Sequence, residues 1–277
     1  MSRREMTSDK WMKTAKRILL FILTVMFVIA CDDIGREERL IYEKPEPSKR
    51  VVLLEDFTGQ RCVNCPKATE VIEQLQREYG EALIAVAVHG GPLGFHGSSS
   101  VAGLATDVGD EYFEHWGLEF QPVGLVNRRS PKSYPEWAAA VKEELAIPTT
   151  LTLGGQAKIE GDDILITVNA QGTDGDTSGK IQLWLVEDSI IALQMMPDGT
   201  LNREYIHNHV LRTPVNGNWG ENFTIKEGEA KALSYSQPLN ADWNTARLRI
   251  VAFVYNESGV FQTIILKVDN NNNTKTL

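Results

Sequence analysis

The sequence predicts an α/β unit over residues 50–147 followed by an all-β domain over residues 148–277. Three observations carry this expectation. Two strand-length apolar runs, within Arg50 to Phe57 and Leu83 to Val88, flank a segment of helical period, which is the β-turn-α-β order of a parallel sheet. Pro148 stops the helical patterns, and from Thr149 onward apolar residues recur every second position. Between the first strand and the first helix lies Thr58-Gly-Gln-Arg-Cys-Val-Asn-Cys-Pro66, a pair of cysteines two residues apart.

At the N-terminus, Lys13, Lys16 and Arg17 precede an apolar stretch from Leu19 to Ile29 that ends in Val28-Ile-Ala-Cys31. This is the layout of a targeting segment, too short for a comfortable membrane span. Its end fits the lipobox of bacterial lipoproteins, so residues 1–30 are expected to be a signal peptide and Cys31 the lipidated new N-terminus. Met12 is an alternative start to Met1. Residues 31–49, charged and carrying Pro45 and Pro47, read as a tether.

In the first unit, Ala68, Val71, Ile72, Leu75 and Tyr79 share one helix face, with Pro66 in the first turn and Gly80 at the end. His89 to Ser100 is a Gly- and Ser-rich loop without a Gly-Lys-Ser/Thr or GxGxxG pattern, so a phosphate cradle is not expected. Leu104, Val108, Tyr112 and Trp116 mark a second helix ended by Gly117. Phe120 to Asn127 holds Pro122 before a short strand, and Ser133-Tyr-Pro-Glu136 is a capping box before a third helix. The β-domain strands read from Leu151/Leu153, Ile164/Ile166/Val168, Ile181/Leu183/Leu185, Leu248 to Val254 and Ile264 to Val268, most simply an immunoglobulin-like sandwich ending in a polar tail from Asn270.

The chain carries 28 basic and 37 acidic residues, a formal charge of −9. Loss of residues 1–30 removes six basic and two acidic residues and takes it to −13. Outside the N-terminus no Lys/Arg cluster occurs, so no nucleic-acid partner is expected. Cys31 being spent on lipid, Cys62 and Cys65 remain as a pair in an oxidising compartment.

A thiol at the first turn of a helix is pushed toward thiolate by unpaired N–H groups and the helix dipole, and Arg61 adds a fixed positive charge. Cys62 is therefore the expected nucleophile and Cys65 the resolving thiol of thiol/disulfide exchange. Two alternatives stay open: a structural disulfide, and a zinc site recruiting His89, His96 or His115. His207 and His209 are expected as structural hydrogen-bonding residues rather than metal ligands, and Asp174-Gly-Asp176 and Asp198-Gly199 as turns. No cofactor or metal is expected.

The stretch from Glu55 through Cys65 resembles thioredoxin-fold proteins over about residues 50–147, through the CxxC pair, Asp56-Phe57 six residues ahead of it, and Pro122 before a strand. That resemblance implies a thioredoxin-like domain, a buried Asp56 as proton acceptor for Cys65 in preference to Glu55, and a cis Pro122 facing the dithiol. Arg61 and Val63-Asn64 depart from the thioredoxin pattern, so docking and redox potential do not carry over. The whole chain resembles the outer-membrane-protein-28 family of bacterial surface lipoproteins, through the lipobox, Leu53-Leu-Glu-Asp-Phe-Thr-Gly-Gln60, Gln121-Pro-Val-Gly-Leu-Val-Asn-Arg128 and Tyr205-Ile-His-Asn-His-Val-Leu-Arg212. This implies a lipid anchor at the outer membrane, on its periplasmic face or the cell surface. Two functions follow as expectations: an oxidoreductase acting on client protein thiols, or a non-catalytic adhesion or ligand-binding lipoprotein on a retained scaffold.

Overall fold

The computed structural model describes residues 49–270, together with Trp11, Thr14 and Lys16, which are helical and belong to a separate unit spanning residues 1–43. Apart from those three residues, the expected signal peptide, Cys31, the expected tether up to residue 48 and the tail beyond Asn270 lie outside the described residues. No helix among the described residues is long and apolar enough to cross a membrane.

Strand β1 (Val52–Thr58) runs into a tight turn and helix α1 (Cys65–Tyr79), and the chain returns as β2 (Leu83–His89), parallel to β1 from Val52↔Leu83 to Thr58↔His89. Pro66 sits in the first turn of α1, where a missing N–H costs nothing, and Ala68, Ile72 and Leu75 form its buried face. Helix α2 (Asp107–His115) is capped by the Thr106 hydroxyl, which accepts from the Gly109 N–H at 3.0 Å, with Asp107 and Asp110 in its positive first turn. Strand β3 (Val123–Val126) adds antiparallel to β1, followed by β4 (Lys132–Ser133) and, through the Ser133/Glu136 capping box, helix α3 (Trp137–Leu145).

The rest is β-structure: β5 (Leu151–Glu160), β6 (Asp163–Gly172), β7 (Thr177–Glu187), β8 (Ile190–Met195), β9 (Leu201–His207), β10 (Val210–Pro214), β11 (Glu221–Ile225), β12 (Ala230–Pro238), β13 (Leu248–Asn256) and β14 (Gly259–Asp269). All but β8 and β9 join one mixed sheet in the order β12-β6-β5-β14-β13-β7-β10-β2-β1-β3-β4, with β11 pairing β7. Strands β8 and β9 form a separate hairpin.

This overturns the expected fold class, a thioredoxin-like α/β domain followed by an immunoglobulin-like sandwich. The protein is mostly β, with few helices and a single large mixed sheet. The open edge of β2 is taken by β10, through Val210↔Ala87 and the Ala87 N–H donating to the His209 carbonyl at 2.8 Å. Unpaired backbone groups at a sheet edge gain by such pairing, and here it continues the ladder from the N-terminal strands into the C-terminal ones. Packing follows the same continuity: Leu53, Phe57, Val86 and Val88 share one buried cluster with Trp184, Val186, Leu211, Val251 and Phe253. On the opposite face of β1 and β2, Val52, Leu54 and Ala85 pack against Ala68 and Ile72 of α1 and Trp137 and Val141 of α3.

Candidate functional site

Alternation along β1 sends Leu53, Glu55 and Phe57 to one face and Val52, Leu54 and Asp56 to the other. Glu55 therefore enters the aromatic cluster, where its Oε1 accepts from Arg128 Nε at 2.8 Å. Asp56 faces α1 and lines a cavity together with Cys65. Both carboxylates are buried, so exposure does not separate them, but facing does.

Cys62 and Cys65 form a disulfide, with the Cys62 N–H donating to the Gly59 carbonyl at 3.0 Å and the Cys65 N–H to the Cys62 carbonyl at 3.4 Å. The turn is pressed against the loop after β2: the Arg61 N–H donates to Leu93 O at 3.1 Å, and a Cβ on Gly59 would stand 2.2 Å from that same oxygen, so only glycine fits there. The Arg61 side chain is exposed and lies over the Phe95 ring, 5.0 Å from its centroid. Pro122 is buried, and the Gln121–Pro122 peptide is cis. The Gln121 side chain ties three segments, donating to Thr58 O (2.6 Å) and Gly90 O (3.0 Å) and accepting from Leu93 N (3.1 Å).

The sulfurs are not open to solvent: Cys62 is 1% and Cys65 2% exposed. The β8–β9 hairpin, which sequence reasoning missed, is fastened onto this turn and shares a cavity with Cys65. Gln194 Nε2 donates to the carbonyls of Cys62 (2.8 Å) and Gly59 (3.3 Å), and the Met195 N–H donates to Gln60 O at 2.8 Å. Gln60 is fully buried, donating to Ala102 O and Leu193 O and accepting from Leu104 N at 2.8 Å. The sequence signal for this contact is Gln194, a lone glutamine inside the apolar run Ile190 to Met196.

Beside the disulfide, a cavity of about 40 Å³ lies between β1, β2, α1 and the hairpin, lined by Asp56, Cys65, His89, Gln194, Tyr205 and His207 among others. Burial, with no compensating partner, raises the Asp56 carboxyl to about 7. Burial also lowers His207 to about 4 and His89 well below the usual imidazole range, so both rings are neutral at pH 7. The rings stand edge to face, 5.3 Å between centroids. His207 thus belongs to the site, although the sequence placed it only as a structural residue. His209 also lines the cavity, paired with Asp188 at 3.1 Å.

The histidines of the zinc alternative occupy separate contacts. His96 Nε2 sits 2.7 Å from Asp110 Oδ2 in an exposed cluster with Asp107, His115 stacks on Trp219 at 4.1 Å, and His89 faces the cavity.

Among solved structures, the fold is similar to HBP35 of Porphyromonas gingivalis (15% identity, TM-score 0.63, 84% of this chain and 80% of that one). It is also similar to a protein of Agrobacterium tumefaciens (16% identity, TM-score 0.50, 83% and 99%). The likeness to HBP35 runs over most of the chain, in agreement with one continuous architecture. A domain of the outer membrane lipoprotein Omp28 from Porphyromonas gingivalis matches 44% of this chain and 90% of its own length at 24% identity, with a TM-score of 0.34. No curated protein matches the sequence. The family model of outer membrane protein Omp28 matches residues 109–272, more than half of the chain, and the protein belongs to that family.

Proposed function

We propose that the protein serves at the outer membrane as a non-catalytic ligand-binding lipoprotein, anchored through lipid on Cys31, in which the Cys62–Cys65 disulfide fastens the turn against the β8–β9 hairpin. The observation that supports this reading is the closure of the disulfide: both cysteines are at most 2% exposed, and Gln194 holds the hairpin on the Cys62 carbonyl. Thiol/disulfide exchange needs an attacking thiolate to reach one of the two sulfurs, and a sealed disulfide resists it. A Cys62→Ser/Cys65→Ser double variant is then expected to keep its outer-membrane location and any surface-binding phenotype. Loss of that phenotype from a folded double variant overturns the reading.

A second reading, a lipid-anchored thiol/disulfide oxidoreductase acting on client protein thiols, is favoured by one specific observation. Asp56, raised to about 7, lines the same cavity as Cys65, and a carboxyl near neutrality suits proton exchange with a leaving thiol. In this reading Cys62 is the attacking sulfur, Cys65 resolves the mixed disulfide, Arg61 favours the thiolate, and Pro122 flanks the site. The β8–β9 hairpin has to lift for a client to enter. Cys65→Ser then traps clients on Cys62 while Cys62→Ser traps none, and silence from both variants removes this reading.

A further inference from the structure

We infer that the cavity beneath Cys65 is a water-filled proton route, in which His89 and His207 position the water that carries a proton between Asp56 and the Cys65 sulfur. The inference rests on the exchange reading above. Its foundation is geometric. Asp56 Oδ1, His89 Nδ1 and His207 Nε2 are buried polar atoms without a hydrogen-bond partner in the protein, and the three residues line this one cavity. They are 2%, 3% and 6% exposed.

Leaving a buried polar atom unpaired is costly, so three around a single space form a site built for water. A water needs about 10–15 Å³ and the cavity is about 40 Å³, so the space holds about three. Tyr205, from β9, also borders it. Other titratable groups facing it are Glu73 of α1 and His209, while Arg212 acts on His89 from β10 and Glu70 on Tyr205 from α1. Neutral imidazoles suit a positioning role, because an unprotonated ring nitrogen accepts a hydrogen bond and orients the donor water. His207 is delivered by the hairpin that is fastened to the disulfide turn, so hairpin and proton route are one device.

The chemistry balances as follows. An external thiolate attacks Cys62 Sγ, the Cys62–Cys65 bond breaks, and the electron pair leaves on Cys65 Sγ. Water beside His207 protonates that thiolate and is itself reprotonated by the Asp56 carboxyl, which recovers its proton from solvent. A second external thiol then displaces Cys62 as thiolate, leaving the protein dithiol reduced and the external pair oxidised.

The experiment uses the full mature chain, with dithiothreitol as the external dithiol, and follows the rate of reduction between pH 5 and 9. His207→Phe and His89→Phe keep a ring but remove the acceptor. Each is expected to slow reduction at pH 7 by about tenfold and to distort the pH profile, while His207→Gln, which retains an acceptor, restores most of the rate. Either phenylalanine variant decides alone if the other fails to fold. A variant that merely loosened the hairpin would be reduced faster. Unchanged rates and profiles in the folded variants overturn the inference while leaving exchange intact, whereas a wild-type disulfide that resists dithiothreitol in the folded protein overturns the exchange reading and this inference with it.

Discussion

Glu55 and Arg128 form an ion pair 2.8 Å long with both side chains sealed from water, 0% and 1% exposed. The guanidinium is walled by aromatic rings, lying 4.1 Å from the Tyr255 centroid, 4.7 Å from Phe253 and 5.3 Å from Trp184. Burial pushes the Glu55 carboxyl up and Arg128 pulls it back down, with burial the larger effect. The pair joins β1 to the segment after β3 and to β7 and β13, so it sits where the N-terminal and C-terminal strands share one core.

Removing one partner of such a pair strands the other charge in a dry interior. Glu55→Gln is expected to cost about 3–5 kcal/mol in urea denaturation, and Arg128→Met a similar amount. Glu55→Leu combined with Arg128→Met is expected to recover most of that loss, because hydrophobic replacement of both partners avoids the desolvation cost. A double variant as unstable as the sum of the singles contradicts the account.

Asp56 gives the opposite of the usual acid behaviour. Its folded value, about 7, lies above its ordinary value of 3.8, so the folded state holds a proton that the unfolded chain releases. The associated stability is present below pH 4 and is lost as pH rises through 7, with a shift of this size worth on the order of 4 kcal/mol. Asp56→Asn is therefore expected to stabilise the protein at pH 8.5 and to change little at pH 4. His207 slopes the other way: its value of about 4 makes stability fall as pH drops from 6.5 toward 4. Denaturation midpoints of wild type and Asp56→Asn across pH 4–9 test both signs, and parallel curves sink the assignment of the alkaline loss to Asp56.

Gly124 on β3 faces the indole of Trp137, and a Cβ there would stand 2.7 Å from the ring. Trp137 is fully buried and donates its Nε1–H to Lys132 O at 3.1 Å, so the ring has nowhere to move. Gly124→Ala is expected to destabilise by about 1–3 kcal/mol through overpacking. Thermal melting checks it, and Trp137→Phe in the same background should return part of the loss.

The elements nearest the cysteines were legible because their causes are local. Pro66, the α1 face at Ala68, Ile72 and Leu75, and the Ser133/Glu136 box each fix structure within a few residues. The strand at Leu248 to Val254 and its neighbour at Ile264 to Val268 also follow their period. The fold class was not legible, because it turns on the single pairing Val210↔Ala87, and nothing in either local pattern encodes a partner more than 100 positions away. The same limit hid the hairpin on the disulfide turn: Gln194 meets Cys62 across 132 positions. His207 carried a signal, a second histidine two positions on, but only the fold shows that β9 ends at His207, which faces Asp56 and His89 across the cavity, and that His209 lies beyond the strand and pairs with Asp188.

Gln194 fastens the β8–β9 hairpin to the disulfide turn. Its Nε2 donates to the Cys62, Gly59 and Met195 carbonyls, and the residue is 2% exposed, so alanine removes all three bonds and leaves buried carbonyl oxygens short of a donor. A single net hydrogen bond is worth about 1 kcal/mol, and unpaired buried acceptors add to the loss, so opening of the hairpin should become favourable by about 2 kcal/mol or more. That corresponds to at least about thirtyfold greater population of the open form, and reduction by a small phosphine, which needs only access to a sulfur, should accelerate by the same factor. Global stability should fall less than this local change, because β8 and β9 lie outside the large sheet and only the hairpin is released. Accelerated reduction with a nearly unchanged melting temperature locates the control in the hairpin. Equal rates in wild type and Gln194→Ala would mean that something other than this hairpin limits access to the cysteines.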